Sequence, residues 1–502
     1  MIHVYKSKKI AKEATISFIG MGFGNAVRYL FTVVLARFVG IEYLGIYSLA
    51  TSVTRIGEVI GIAGLQSGVM RYVSRLDKEN EIDEIRQRVR SGLMLGLIFS
   101  IVTMILQLAL SDWLAIEIFQ GSELLKRVIV ISAFSLPFAT VMIISAFATQ
   151  GYQLLKYKIT VINIVRPTVM LLCTLLCLGI FSKDSAIIYP LFISAIVSAL
   201  VSLLFLKKLV GIKLNEIFLG KIDKELLSFS YPLMFVAILG TLLHWMDIMM
   251  LGYFTDTTTV GLYHPATRTA GLMRTILLAF MGIFSPMMSD YHRKGKLDEM
   301  RKLYKLVDRW IISLSIPFAI IMIIYSKKIM LLFGGQYVSS ANVLSLLVLA
   351  AFIQSFIGSS GPTLSMAGYP KINLINSIFV LMINVVLNYV WIPLFGINGA
   401  AYATLVSISF LAVIRLIEVR MIVKIQPFSI KMLKPVIAGG IMIVVLSLLK
   451  PIVMPMHTLT SLIIVSLVGL LSFFFMLWML KFDDDDREIW SGIGMITNRR
   501  ES

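Results

Sequence analysis

The sequence predicts an all-α polytopic membrane protein: about fourteen transmembrane helices, comprising two six-helix lobes related by a parallel pseudo-two-fold and two extra C-terminal helices. Three observations predict it. The composition is 58% hydrophobic against 15% charged, whereas soluble domains are near half apolar and roughly a quarter charged. Apolar segments of about 20 residues, enough to cross roughly 30 Å of hydrocarbon, recur along almost the whole chain. Two separate blocks of sequence also repeat at nearly one offset.

Each span rests on its own run of residues. Ala14–Phe38 is span-length, lacks a small-residue cleavage site and carries Arg28, so it is expected to stay as a helix rather than be removed as a signal. Its GMGFG stretch, Gly20–Gly24, has the small-xxx-small spacing that lets helices approach closely; with no strand and no lysine it is not a phosphate loop. Leu44–Met70 contains Arg55 and Glu58, and Ser91–Leu110 and Val128–Thr149 follow, with a kink expected at Pro137. Ile159–Phe181 holds Arg166-Pro167 and both cysteines, Cys173 and Cys177. The cysteines lie one turn apart with no histidine or further cysteine near, so they read as free thiols in a membrane helix. Ala186–Leu206 closes the first set.

Tyr231–Phe254 opens the second set with His244 and Asp247, and Val260–Met288 carries Pro265, Arg268 and Arg274. Trp310–Tyr325, a short segment with Pro317, precedes Asn342–Ala367, Ile372–Leu394 and Gly399–Val419. Pro435–Val453 and Thr458–Leu480 are the extra pair, and the acidic run Asp483–Asp486 reads as a solvated helix start just beyond them.

The net charge of +18 would suggest nucleic acid in a soluble protein, but its placement excludes that reading. About 34 of the 46 lysines and arginines fall on one side of the membrane, in the N-terminal Lys6–Lys12 cluster and in alternate loops such as HRKGKLDEMRKLYKLVDR. About 6 lie on the other side and 6 inside spans. The positive-inside rule therefore puts both termini in the cytoplasm, and an even number of spans agrees.

The repeat is gapless over LARFVGIEYLGIYSLATSVTR from Leu35 and LGYFTDTTTVGLYHPATRTAG from Leu251, at an offset of 216. Leu35/Leu251, Phe38/Phe254, Gly45/Gly261, Tyr47/Tyr263, Ala50/Ala266 and Thr51/Thr267 match. An offset of 217 pairs Gly151-Tyr152 with Gly368-Tyr369 and Gly179-Ile180 with Gly396-Ile397. Six helices separate the copies, so both have the same orientation, and transporters hold substrate near mid-membrane between such halves. The expected organisation is an N-terminal lobe over 1–210, a C-terminal lobe over 211–425 and an appendix over 426–502.

A charge at the centre of a membrane helix costs about 2.5–3.5 kcal/mol on insertion scales, which makes such residues functional candidates. They are Arg28, Arg55, Glu58, Arg166, His244, Asp247, Arg268 and Arg274; Arg37 sits at a span end, where it snorkels to the interface. The repeat superposes His244 on Arg28 and Arg274 on Glu58. If the halves face each other, these four approach one central cavity. Structural readings stand beside this one. Arg55–Glu58 and His244–Asp247 share helix faces and would serve equally as internal pairs, and Arg166 would serve as a cap for carbonyls freed by Pro167. Arg268 and Arg274 are six apart, about 120° around a continuous helix, so one of them would serve packing or a loop. Asn373, Asn376, Asn384 and Asn388 share one face, suited either to sugar hydroxyls or to interhelical hydrogen bonds. Five arginines against two acids make a cationic cavity, matched to phosphate oxygens.

LARFVGIEYLGIYSLATS resembles the start of polysaccharide transporters of the multidrug/oligosaccharidyl-lipid/polysaccharide superfamily. HWMDIMMLGYFTDTTTVGLYHPATR resembles that family's seventh and eighth helices, and IFSPMMSDYHRKG the loop after them. The resemblance covers most of the chain. It implies an oligosaccharide flippase (Wzx-type) in a bacterial or archaeal inner membrane. Such a protein moves an undecaprenyl-diphosphate-linked oligosaccharide to the outer leaflet for surface polysaccharide biosynthesis, with membrane lipid and polysaccharide-assembly proteins as partners. Similar lipid II flippases use arginines of the first, second and eighth helices, which the resemblance carries to Arg28, Arg55 and Arg274. No cofactor is expected; a coupling Na⁺ or H⁺ would fall to Glu58 or Asp247. The alternatives are a lipid II flippase, a multidrug exporter, whose cationic cargo asks for carboxylates, and a membrane polymerase or ligase. Short outer loops such as TDTTT, without a His/Asp/Glu cluster, argue against the enzyme.

Overall fold

The computed structural model describes residues 2–480 apart from 78–79, 213–215, 217 and 219, with side chains omitted for 2–15 and 283; the Asp483–Asp486 run lies outside the described residues. Every regular element among them is helical. In hydrocarbon only intra-helical hydrogen bonds satisfy the backbone, and these apolar runs supply nothing else. Eleven helices are long and apolar enough to cross a membrane, or twelve if a pair bent by 41°, Glu123–Ala133 and Ser135–Gly151, is one span. Fourteen spans were expected. The other two segments, Ile41–Ile62 and Thr257–Arg293, are helical too, but they hold the intramembrane polar residues that lower their hydropathy, and the second is broken. The segment expected to be short is instead a helix of 28 residues, Leu297–Ile324, because LDEMRKLYKLVDR continues it.

The chain packs as two compact units, residues Met1–Pro265 with Asn384–Ala400, and residues Ala266–Ile383 with Ala401–Ser502.

In the first unit we label the helices α1 (Ile2–Val34), α2 (Ile41–Ile62), α3 (Leu65–Arg75), α4 (Ile82–Ala109), α5 (Glu123–Ala133), α6 (Ser135–Gly151), α7 (Leu155–Ile159), α8 (Arg166–Ile180), α9 (Lys183–Val210), α10 (Lys224–Phe254) and α11 (Thr257–Ala270), the last running on into the second unit. Leu65, Val69, Leu93, Met142, Ile144, Leu206 and Leu226 are buried in its core. Phe18, Val102, Leu176 and Leu204 are more than half exposed, as lipid-facing side chains should be. Proline explains two irregularities. The α5–α6 bend falls at Phe134, where the Pro137 ring would collide with the carbonyl four residues back. A π-helical turn over 160–165 leads into Arg166-Pro167. Cys173 and Cys177 are buried free thiols.

Small residues set the closest approaches. A Cβ on Gly20 would lie 2.1 Å from Ile159 Cγ2, and one on Gly24 would lie 2.5 Å from the Asn163 carbonyl. The GMGFG face thus packs on the segment before Pro167, as its spacing indicated. A tighter crossing joins the repeat copies. A Cβ on Gly45 would lie 1.7 Å from the Thr257 carbonyl, and one on Gly261 would lie 2.0 Å from the Ile41 carbonyl. Ile41 and Thr257 are themselves 216 apart, so each glycine meets the repeat partner of the residue that meets the other. Such self-complementary contact is what a local two-fold produces. Asp256 starts α11 by accepting the Thr259 amide at 2.8 Å, and hydrogen bonds from Thr259 hold this loop carboxyl below its usual range.

In the second unit the helices are α12 (Met273–Arg293), α13 (Leu297–Ile324), α14 (Ser326–Leu331), α15 (Ala341–Phe356), α16 (Ser360–Met366), α17 (Pro370–Phe395), α18 (Ile397–Glu418), α19 (Leu433–Val453) and α20 (Thr458–Met479); α17 and α18 each lend their adjoining ends to the first unit. One core gathers Phe284, Met288, Tyr304 and Leu364. Another holds the C-terminal pair α19 and α20 on α13 through Ile312, Met442, Leu446 and Phe473. Tyr325 donates to the Leu446 carbonyl at 2.8 Å, and Lys328 to the Met456 carbonyl at 2.7 Å.

Gly45→Ala is expected to cost more than the roughly 1–3 kcal/mol of ordinary overpacking, because the obstacle is backbone. The check is the yield of monodisperse protein in detergent, with Gly22→Ala, which has open space around it, at wild-type yield. Equal yields of the two variants would remove the crossing.

Candidate functional site

The intramembrane charges of the first unit fall into three groups. The first is an ion triad. Arg55 and Glu58, three residues apart on α2, meet with Nη1 2.5 Å from Oε2. Arg166, arriving on α8, places its Nη1 2.9 Å from the other oxygen, Oε1. Glu58 is 4% exposed and Arg166 13%, while Arg55 is 38% exposed. One buried carboxylate is therefore divided between two arginines, leaving one positive charge, and Arg55 is the least buried member.

The second group is set by Pro167. In the π turn the Arg166 amide bonds the Val161 carbonyl, so the carbonyl of Ile162 would need the amide of residue 167, which proline lacks. Arg28 supplies the missing donor: its Nη2 lies 2.8 Å from Ile162 O and 3.2 Å from Asn163 Oδ1. The capping role open to Arg166 is thus taken by Arg28, and Arg166 is left to Glu58.

The third group surrounds Asp247. Its Oδ2 accepts from the Tyr263 hydroxyl at 3.0 Å, and its Oδ1 accepts from Asn388 Nδ2 at 2.8 Å and Asn384 Nδ2 at 3.3 Å. Asn388 also donates to Asn384 Oδ1 at 3.1 Å. In the second unit Asn376 donates to Glu418 at 2.5 Å and Asn373 to Ser365 at 3.2 Å. All four asparagines serve as interhelical bonding groups. His244, three residues before Asp247, is exposed and packs its ring edge-on to Trp245 at 5.3 Å.

Arg268 and Arg274 belong to the second unit. The helix that was read as continuous between them breaks at Gly271-Leu272, where glycine has little helical preference. Arg268 ends α11, where a cation suits the helix C-terminus, and Arg274 begins α12. Their 120° separation on one helix therefore does not apply. Arg274 lines a cavity of about 240 Å³ within this unit.

Sequence reasoning missed two buried polar groups, Gln107 and Asp308, and one half-buried cation, Arg415. Gln107 donates to Thr54 at 3.2 Å and to the Ile129 carbonyl at 3.1 Å, joining α4 to α2 and α5. Asp308 is fully buried and accepts from Ser359, beside a 2.7 Å Tyr304–Ser360 hydrogen bond. Arg415, inside α18, lines the same cavity as Arg274. Asp308 and Arg415 lie near span ends, where charge is ordinary, and that hid them.

Removing one partner of a buried pair leaves an uncompensated charge, at about 3–5 kcal/mol. Glu58→Ala is expected to lose stability on that scale by thermal unfolding in detergent. Glu58→Met with Arg166→Met should regain much of it, and a double variant as unstable as Glu58→Ala would deny the triad.

Comparison with known proteins agrees with this all-helical membrane fold. The chain is 15% identical to a solved structure of the lipid II flippase MurJ in an inward closed conformation, with a TM-score of 0.72 over 93% of this chain and 98% of that one; the likeness is one of fold. It is 23% identical over 404 residues to the probable low-salt glycan biosynthesis flippase Agl15 of Haloferax volcanii, covering 79% of this chain and 81% of that protein. It is 28% identical over 202 residues to the probable flippase AglR of the same organism, covering 39% and 40%. The family model for polysaccharide biosynthesis proteins matches residues 34–342, which include the repeat's first block, the Glu58 triad, Asp247 and both span-eight arginines. The chain is a multi-pass membrane protein that belongs to the polysaccharide biosynthesis protein family.

Proposed function

We propose that this protein is a flippase that moves a polyprenyl-diphosphate-linked oligosaccharide from the inner to the outer leaflet of a cell membrane, by alternating access, for surface glycan synthesis. The observation that carries the reading is the Glu58 triad. A buried carboxylate shared by two arginines leaves a net positive charge in a membrane helix, with the half-buried Arg55, the least buried of the three, available to an anion. Arginine stays charged at accessible pH and its fork matches phosphate oxygens. The names of the two Haloferax volcanii relatives support the same activity, and the lipid carried by a flippase supplies the anion.

The positive-inside asymmetry supports cytoplasmic termini. A cytoplasm-negative potential then favours outward movement of anions, by about 2.3 kcal/mol per charge per 100 mV. Glu58 and Asp247 are the two acids open to a coupling Na⁺ or H⁺; Glu58 is committed to two arginines, and Asp247 accepts hydrogen bonds from Tyr263, Asn384 and Asn388. Assembly proteins of the same glycan would dock on the basic cytoplasmic loops.

The test is lipid analysis of cells depleted of the protein. A diphosphate-linked oligosaccharide is expected to accumulate on the cytoplasmic leaflet, with release restored by wild type but reduced at least tenfold by Arg55→Ala or Arg274→Ala, and little by the exposed Arg37→Ala. Unchanged lipids together with hypersensitivity to cationic drugs would sink the reading in favour of an exporter.

A further inference from the structure

The cavity lined by Arg274 has a second cation in its wall. Its polar groups are Arg274, Arg415, Gln354 and Asn373, drawn from α12, α18, α15 and α17, and no carboxylate lines it. Glu418, one turn beyond Arg415 and outside the wall, attracts it through space and takes a hydrogen bond from Asn376. Arg415 Nε is buried without a hydrogen-bond partner among the described residues, and so is Asn373 Oδ1. Most of the remaining lining residues are apolar, with Gly358 in the break between α15 and α16 and Gly361 in the first turn of α16.

Gly361 packs directly on Arg415. A Cβ there would sit 3.2 Å from both Cζ and Nη1 of the guanidinium; a methyl group would ask the arginine to give by only a few tenths of an ångström, whereas a larger branched side chain would displace it. Two guanidinium groups lining one cavity repel each other, and neither can shed its proton. An anion with more than one charge relieves both at once. The volume of about 240 Å³ falls below the roughly 300–1,000 Å³ of pockets that enclose drug-sized ligands. A diphosphate fits that size, and an oligosaccharide does not. The unpartnered Asn373 oxygen offers an acceptor for a hydroxyl beside the anion.

We propose that this cavity is a diphosphate subsite, with Arg415 and Arg274 as its clamp. The anion site stands on the cavity itself; that its diphosphate is the one carried by the transported lipid rests on the flippase reading. In the first unit the Glu58 triad buries its acid between two arginines, whereas no carboxylate lines this cavity and Glu418 stands outside its wall.

The experiment is equilibrium binding to the full-length protein in nanodiscs of zwitterionic lipid, with two probes: radiolabelled inorganic pyrophosphate and a short-chain polyprenyl diphosphate. Arg415→Gln is expected to lose at least tenfold in affinity for both while unfolding at the wild-type temperature. Gly361→Val, which keeps both arginines but displaces one, is expected to weaken both probes too, and it carries the comparison if Arg415→Gln does not survive solubilisation. Tighter binding of the polyprenyl diphosphate supports the lipid carrier as the source. Equal binding of the probes supports the anion site and overturns its assignment to a lipid. Unchanged affinity in both variants overturns the site. The cell-lipid experiment separates this from the flippase reading. Pyrophosphate binding that depends on Arg415, in a protein whose depletion leaves lipids unchanged, keeps the anion site and drops the carrier. Lipid release at the wild-type rate by Arg415→Gln keeps the carrier and drops the subsite.

Discussion

Glu58 organises the charged interior of the first unit. Its two carboxylate oxygens bind arginines from two helices, one on α2 and one on α8, and the acid itself is buried. Each arginine alone would be expensive there, and so would the acid. Together they are stable only as a set whose charge does not cancel. The surplus is carried by Arg55, the most exposed of the three. A structural pair would have used one arginine; the second is what we propose serves an anion.

The backbone obeys the same requirement that nothing polar be left alone in hydrocarbon. Pro167 strands the Ile162 carbonyl, and the arginine that answers it comes from α1, which can approach because Gly20 and Gly24 present no side chains. One proline thus connects a helix irregularity, a glycine face and the placement of Arg28. It also leaves the neighbouring Arg166 to Glu58. The crossing at Gly45 and Gly261 is a second backbone constraint, and its self-complementary contacts tie the repeat to a local two-fold.

Much of this was legible because membrane helices expose their exceptions. Charges inside apolar runs pointed to Arg28, Arg55, Glu58, Arg166, His244, Asp247, Arg268 and Arg274, and i,i+3 spacing was enough to pair Arg55 with Glu58. The repeat register showed that Gly45 and Gly261 are equivalent, although not that they touch. Partners distant in sequence were not legible: nothing local says that Glu58 takes Arg166, or that Asp247 takes Asn384 and Asn388 from more than 130 residues away. The break at Gly271 was hidden by a hydrophobic run that continues through it. Arg415 was hidden by its position near a span end, where a lysine or arginine usually reaches water and draws no notice.

The central claim is that the unbalanced positive charge held by Glu58 serves the anion of the carried lipid. Its most direct test is leaflet-resolved transport in proteoliposomes of one oligosaccharide on two lipid carriers, a diphosphate and a neutral isosteric linkage. The diphosphate-linked molecule should cross at least tenfold faster, and Arg55→Gln should remove that preference. Equal rates for the two carriers, unchanged in Arg55→Gln, would contradict the account and leave the arginines of this interior as structure alone.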